Sequence, residues 1–221
     1  MKKPSSKKPS SDFKKLIEMY KKIHKEGAKL NNKIKKTPEE TYNGESTLFF
    51  ADFLKKFIMK NNCKTLLDYG SGKGDCYFNE KKFGTKNIPP LKDYWNIIPE
   101  LYDPAVDNLK KPLNKKYDIV ISVDVLEHIP RQDLFWVINE IFSLSKKIVF
   151  LNIACYPAEA LLEDGRNAHV SIFDPMWWCG FITAIAHNYE LKIIATCSYF
   201  NKDKKLNYTT FGINDNFQNY P

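Results

Sequence analysis

Three short apolar segments constrain the fold of this 221-residue chain more than any other feature. They are residues 65–69 (TLLDY), 117–123 (YDIVISV) and 147–153 (KIVFLNI). Segments of this kind, rich in β-branched residues and without polar alternation, are typical of parallel strands that are buried on both faces. Polar or small residues and then a helical pattern follow the first two. The sequence therefore predicts an α/β fold, a doubly wound sheet with helices on both faces.

The C-terminal part predicts the end of that sheet. A helical pattern runs from about residue 175 to 187, and two further strand patterns lie near 191–199 and 208–213. The residues between them, Asn201-Lys-Asp-Lys-Lys205, are typical of a hairpin turn. We therefore expect the sheet to end in an antiparallel hairpin.

The N-terminal part differs in composition from the rest. Residues 1–10 are mostly lysine, serine and proline, which predicts a disordered basic tail. Apolar residues recur at helical spacing from Ser11, interpreted as a capping residue, and again up to about residue 61. The predicted division is thus a tail (1–10), a helical extension (11–62) and the main domain (63–221).

The basic charge is confined to one region. The chain carries a net charge of +8, yet residues 1–36 hold thirteen lysines against three acids, so the remainder carries −2. Only Arg131 and Arg166 are arginines, the side chain that phosphate recognition favours. A nucleic-acid partner stays an alternative that this distribution does not favour.

Cysteine usage and hydropathy bear on the compartment. The five cysteines include no C-x-x-C pair, and no apolar run approaches the length of about 18 residues that a membrane-spanning helix needs. These observations predict a cytoplasmic protein without a membrane partner. They carry no prediction of oligomeric state.

A glycine-rich loop follows the first predicted strand. Residues 68–75 read D-Y-G-S-G-K-G-D, which is D-x-G-x-G-x-G at the carboxyl end of the strand. Glycines allow a tight turn and close approach of a ligand, at the crevice where doubly wound sheets bind nucleotides. The loop lacks the spacing and the Lys-Ser/Thr ending of phosphate-binding loops. We interpret it as a site for a nucleoside ligand without phosphate.

With these motifs the chain resembles the class I S-adenosylmethionine-dependent methyltransferases over about residues 65–213. The glycine loop matches their first motif, Asp103 in L-Y-D-P matches their ribose-binding acid, and residues 117–130 match their fourth strand. The resemblance implies a Rossmann-like sheet, with Asp68 binding the methionine amino group. The cofactor contacts it implies are Asp68, Tyr69, Gly70, Ser71, Gly72, Gly74, Asp103, Pro104 and Asp124.

The sequence departs from that family after Asp103. Only about a dozen residues separate Asp103 from Tyr117, too few for the helix and third strand that the family has there. We expect the third strand to be reduced or missing. The residues that would contact adenine are then unassigned.

Four residues near the ends of the second and third apolar segments predict a metal site. Asp124, Glu127 and His128 have the spacing of one helical face, and His169 follows the third segment. Two carboxylates and two imidazoles suit a hard or borderline divalent ion. The pattern looks like the metal-dependent branch of the family, the small-RNA 3′-terminal 2′-O-methyltransferases and the ubiquinone-pathway O-methyltransferases, and this resemblance implies Mg or Mn. Metal-free members also contain Leu-Glu-His-Ile, with the histidine in a packing role, so both interpretations stand.

Three residues are candidates for catalysis: His169, His128 and Arg166. His169 is the first choice for a general base if it is not a ligand. Arg166 could clamp an anionic or sugar group, or could hold its own loop through Asp164.

The leading hypothesis is methyl transfer from S-adenosylmethionine to a hydroxyl or amine of a small molecule or saccharide, with or without a metal. Its basis is the near-neutral main domain and the lack of an added recognition domain. One alternative is an RNA methyltransferase that uses the N-terminal lysine-rich arm. The other is a non-catalytic, methyltransferase-like binding protein.

Overall fold

The computed structural model describes residues 5, 7–30 and 34–214. Within these residues the α-helices are α1 (Ser11–Glu26), α2 (Ala51–Lys60), α3 (Leu91–Tyr94), α4 (Leu134–Ser143) and α5 (Pro175–Ala186). The strands are β1 (Ala28–Leu30), β2 (Lys35–Lys36), β3 (Leu66–Tyr69), β4 (Lys81–Phe83), β5 (Lys86–Ile88), β6 (Glu100–Tyr102), β7 (Tyr117–Val123), β8 (Ser145–Ala154), β9 (Ala160–Leu161), β10 (Lys192–Phe200) and β11 (Leu206–Ile213).

A six-stranded sheet forms the centre of the fold, in the order β11-β10-β8-β7-β3-β6. All neighbouring pairs are parallel except β10 with β11. The three apolar segments are β3, β7 and β8, next to one another in the sheet. Asp68 of β3 has a neighbour on each side, Leu101 of β6 and Ile121 of β7. Asp68 therefore lies on an interior strand that is paired on both sides.

Helices cover both faces of the sheet, which confirms the predicted mixed α/β class. On one face α4 and α5 bury large side chains such as Phe142 and Trp178 against β3, β7, β8 and β10. On the other face α2 and α3 bury Phe57 and Leu91 against the opposite sides of β7 and β8. Double-sided burial explains why these strands are apolar at successive positions.

Both edges of the sheet agree with the sequence. β10 and β11 form the predicted antiparallel hairpin, in register from Ile193 opposite Ile213 to Phe200 opposite Leu206. At the other edge β6 is the last strand. Residues 103–116, which the structure describes in full, contain no strand, as expected from the short connection after Asp103.

The N-terminal segment packs on the carboxyl edge of the sheet. The side chain of Ser10 accepts a hydrogen bond from the Phe13 backbone N–H at 3.0 Å, so Ser10, and not the predicted Ser11, is the capping residue of α1. Leu16 and Tyr20 of α1 pack with Ala105 and Ala168. The tail predicted at residues 1–10 lies partly outside the described residues.

Two small sheets complete the fold. β1 pairs with β2 and with β9, so these three short strands form one antiparallel sheet. β4 and β5 form a separate hairpin. A short 3₁₀ helix, Glu45–Phe50, leads into α2. No helix of the described ranges has the length and apolar character required to cross a bilayer.

Candidate functional site

The glycine loop turns sharply at the end of β3. Gly70, Gly72 and Gly74 all have positive φ, at 84°, 56° and 64°. The Gly70 N–H donates to the Tyr102 carbonyl of β6 at 2.7 Å, which ties the loop to the neighbouring strand. A Cβ atom on Gly72 would lie 2.2 Å from the Tyr42 carbonyl oxygen. Glycine is thus required both for the backbone conformation and for close packing.

We expect Gly72→Ala to lower the free energy of unfolding by about 2–4 kcal/mol. Strain at positive φ costs about 1–2 kcal/mol, and relieving the clash with backbone costs about 1–2 more. Gly84→Ala is the matched control, because Gly84 has a φ of 60° with nothing within 4 Å of the added Cβ. Denaturant-induced unfolding measures the free energy of unfolding of both variants. Equal losses in the two variants would show that the contact with Tyr42 has no energetic role.

Two buried carboxyl groups flank the glycine loop. Asp68 Oδ2 accepts a hydrogen bond from the Tyr77 hydroxyl at 2.7 Å. Asp103 accepts from the backbone N–H groups of Gly72 and Ala105, at 2.9 and 2.8 Å. Burial raises the pKa of Asp68 to about 7 and that of Asp103 to about 6. Asp103 thereby holds the loop in shape, and both acids suit a ligand that brings donors or positive charge.

A cavity opens above this loop and is lined by residues from distant parts of the chain. Of the predicted cofactor contacts, seven line it: Asp68, Gly70, Ser71, Gly72, Asp103, Pro104 and Asp124. The helix α1 and the 3₁₀ helix supply much of the remaining wall, together with His128. Most of the predicted contacts are therefore brought together around one space.

Tyr69 and Gly74 are not among the lining residues. The Tyr69 hydroxyl donates to Glu140 Oε2 of α4 at 2.6 Å, and its ring packs with Tyr102. Its side chain points away from Asp68 because successive residues of a strand face opposite sides. Gly74 lies further along the loop, where a Cβ would meet Leu101. The Tyr69 side chain therefore faces α4, and cofactor binding by Tyr69 stays a prediction.

The sequence did not indicate the contribution of α1, although Tyr42, which precedes the second helical pattern, was a possible contact over the cofactor site. Tyr20 and His24 of α1 line the cavity together with Tyr42, whose ring lies 5.7 Å from the ring of His128. Burial lowers the pKa of His24 to about 4, so this imidazole is neutral. The sequence signal for this role of α1 was its apolar face, which predicts packing against another element but does not identify that element.

Three of the four predicted metal ligands lie close together, and one of them, His128, also lines the cavity. One ligand atom from each of Glu127, His128 and His169 lies within 4.8 Å of the others. Glu127 is fully buried, and its Oε1 accepts from the Ala154 N–H at 2.9 Å. Its Oε2 has no hydrogen-bond partner within the described part of the chain. Burial, with a contribution from Asp124, raises the Glu127 pKa well above its usual range.

Both imidazoles are oriented by backbone carbonyls. His128 Nδ1 lies 2.9 Å from the Ala168 oxygen, and His169 Nδ1 lies 2.6 Å from the Tyr156 oxygen. A carbonyl only accepts, so Nδ1 carries the hydrogen in each ring and Nε2 carries the free lone pair. Burial lowers the pKa of His128 to about 3 and lowers that of His169. Neutral rings fixed in this way are typical of metal ligands.

Asp124 does not belong to this cluster, which corrects the predicted four-ligand set. It precedes the 3₁₀ turn Leu126–His128 and has a φ of 54°, so it is not on one helical face with Glu127 and His128. Its Oδ1 accepts a hydrogen bond from the Asn152 amide at 2.5 Å. Asp124 instead lines the cavity between the glycine loop and the cluster.

Arg166 lies outside the cavity. Its guanidinium contacts Asp164 at 2.8 Å and Asp12 of α1 at 3.1 Å. Of the two interpretations of Arg166, the position agrees with holding its own loop, here together with α1. The predicted catalytic role of Arg166 stays a prediction, and Arg166 lines a separate surface pocket that also includes His169.

Comparisons of the chain with protein-family models and with curated proteins found no match. The case for a function therefore depends on the geometry of the site.

Proposed function

We propose that this protein is an S-adenosylmethionine-dependent methyltransferase with a Rossmann-like, doubly wound sheet, acting on a hydroxyl or amine of a small molecule or saccharide. One observation carries the proposal. The cavity that contains Asp68, the glycine loop and Asp103 also contains His128, a member of the Glu127–His128–His169 cluster. His128 would thus join a cofactor side to an acceptor side, and group transfer requires the two to be adjacent.

On the cofactor side the chain offers two carboxyl groups and a glycine-rich backbone that a ligand can approach closely. The resemblance assigns Asp68 to the methionine amino group and Asp103 to the ribose hydroxyls. Each carboxylate oxygen accepts more than one hydrogen bond, so the existing bonds from Tyr77 and Gly72 leave capacity for a ligand. Bound S-adenosylmethionine would supply the electrophilic methyl group.

On the acceptor side Glu127, His128 and His169 fit a divalent ion. The fit rests on the unpartnered, buried Oε2 of Glu127 and on the two Nε2 lone pairs described above. Mg or Mn held there would orient neighbouring hydroxyl groups and lower their pKa. His128 and His169 keep their orientation through Ala168 and Tyr156, so the chain itself positions the donors. Such an arrangement favours a hydroxyl acceptor over an amine.

The proposal is tested by binding and by product mass. Isothermal calorimetry of the full chain with S-adenosylhomocysteine should show one site, and Asp103→Ala should weaken it. Incubation with S-adenosylmethionine and a host extract should give a product heavier by one CH₂ unit. A folded parent protein that binds neither nucleoside would reject the enzyme and support the non-catalytic alternative.

One observation favours RNA as a second candidate acceptor. Phe49 and Tyr208 stack at 4.9 Å while 51% and 40% exposed, and Phe83 lies 6.3 Å from Phe49. Exposed aromatic rings are typical surfaces for unpaired bases. Such a surface would act together with the lysines of the N-terminal arm.

The RNA alternative is tested by a truncation that spares α1. Because Ser10 caps α1 and its N–H donates to Asp133 at 3.0 Å, the deletion should stop at residue 9. If RNA is the substrate, the deletion of four lysines should reduce the salt dependence of RNA binding, and Tyr208→Ala should weaken binding further. Turnover and RNA binding unchanged by both would exclude this role.

A further inference from the structure

We infer that α1 forms the wall against which the purine base of the nucleoside packs, in place of the strand that the sheet lacks after β6. The inference rests on the proposed function, because it identifies further binding residues in the same cavity. It assigns the base contact to Phe13, Leu16 and Ile17, which come from the N-terminal part of the chain.

The end of the sheet creates the need for such a wall. Asp103 directly follows β6, the last strand, and residues 103–116 run on as a loop. Pro104 and Ala105 line the same cavity as Asp103, so a base joined to a ribose at Asp103 would have these two residues beside it. On that side the sheet itself offers no further strand to cover the base.

The apolar face of α1 lies at that position. Phe13, Leu16 and Ile17 line the same cavity as Asp103, Pro104 and Ala105. Their spacing of three and four residues puts them on one face of the helix. Ile129, which follows the 3₁₀ turn after β7, lines the cavity as well. The cavity is thus apolar beside Phe13, Leu16 and Ile17 and polar at the glycine loop, which matches a base joined to a ribose.

The helix is held over the cavity from both sides. Lys21 forms an ion pair at 2.6 Å with Asp107, in the loop that replaces the missing strand. On the other side, the Tyr20 hydroxyl donates to the Ala168 carbonyl at 2.7 Å. These contacts fix α1 between the cofactor side and the acceptor side. The fold therefore holds this wall in a fixed position beside the cavity.

The chemistry of the wall limits what it can recognise. Phe13, Leu16 and Ile17 carry no hydrogen-bonding group, so these three residues supply packing area and do not recognise the polar edge of the base. We expect substitutions of these α1 residues to weaken the binding of adenine nucleosides and of hypoxanthine nucleosides by the same factor. Discrimination between bases must come from other parts of the cavity.

The test compares two half-buried apolar residues of α1. Ile17 lines the cavity, whereas Met19 packs in the same cluster but is not among the lining residues. Ile17→Ala should weaken binding of S-adenosylhomocysteine and of adenosine roughly tenfold or more in calorimetry, and Met19→Ala should leave both affinities within about twofold. Thermal melting of each variant checks that the fold is kept.

The possible outcomes separate the two proposals. Equal affinities for Ile17→Ala and Met19→Ala, with a parent that binds, would overturn the role of α1 and leave the methyltransferase proposal intact. If Ile17→Ala loses affinity for S-adenosylhomocysteine but not for adenosine, the role of α1 is also overturned, because the contact is then not with the nucleoside. A parent that binds neither probe would overturn both proposals.

Discussion

Asp68→Asn is expected to raise the free energy of unfolding of the ligand-free protein at pH 7 by about 4 kcal/mol. Burial raises the pKa of Asp68 from 3.8 to about 7 in the folded state. Ionisation in the fold therefore costs stability progressively as the pH rises from about 4 to 7, at about 1.4 kcal/mol per pH unit. Asparagine has no charge to bury and still accepts from the Tyr77 hydroxyl.

The pH dependence provides the measurement. Urea unfolding between pH 4 and 7 should show that the stability of the parent relative to Asp68→Asn declines as the pH rises. The other buried groups with shifted pKa values, among them Asp103, Glu127, His24 and His128, contribute to the profiles of both proteins, so the difference between the two profiles isolates Asp68. Asp203→Asn, in the exposed turn between β10 and β11, is the control and should change stability by less than about 0.5 kcal/mol. Parallel pH profiles for the parent and Asp68→Asn would contradict the raised pKa.

The same variant should bind the cofactor less well. A neutral amide loses the charge that the proposed contact with the methionine amino group needs. Hydrogen bonds to charged groups contribute about 1.5–3 kcal/mol, so affinity for S-adenosylhomocysteine should fall roughly ten- to hundredfold. Greater stability together with weaker binding would show that Asp68 is maintained for the ligand.

Glu127→Gln should reduce Mn binding and metal-dependent turnover by at least about a hundredfold, because it removes the only negative charge of the cluster. Burial raises the pKa of Glu127 well above its usual range, which favours the protonated carboxyl group. A divalent ion would displace that proton, since metal ligands bind in their deprotonated form. Glutamine keeps the shape and the acceptor for the Ala154 N–H, but it cannot become an anion.

Electron paramagnetic resonance of Mn titrated into the protein measures this effect, with turnover after chelation and metal addition as a second readout. Glu140→Gln is the matched control, because Glu140 also accepts a short hydrogen bond, from Tyr69, but lies on α4 outside the cavity. Mn affinity that is unchanged in Glu127→Gln would remove the metal proposal. Turnover that survives chelation in the parent would leave His169 as a candidate base.

Much of the fold could be predicted because the central strands are defined by local pattern. Residues 117–123 are a strand with the predicted bounds, and the hairpin lies where the turn residues indicated it. The short connection after Asp103 correctly indicated a sheet that ends at β6. In each case the information lies within a few consecutive residues, and burial on both faces reinforces it.

The candidate site was predicted less completely, because its errors depend on side-chain direction and on distant contacts. The pleat of β3 turns Tyr69 away from Asp68, which the alternation of a strand could have indicated. Asp124 leaves the helical face through a left-handed backbone conformation that spacing does not reveal. The placement of α1 over the cavity and its ion pair with Arg166 join residues more than a hundred positions apart. Local pattern carries no information on such pairs.

The contacts of α1 also determine when the cavity can form during synthesis. Ser10 and Tyr20 leave the ribosome early, but their partners Asp133 and Ala168 follow 123 and 148 residues later. At about 5–20 residues per second, α1 waits roughly 7–30 s for Ala168. Until His128 and Ala168 have been translated, Tyr20 lacks its native partners on the acceptor side. A nucleoside that binds as proposed would therefore stabilise only chains that extend beyond Ala168.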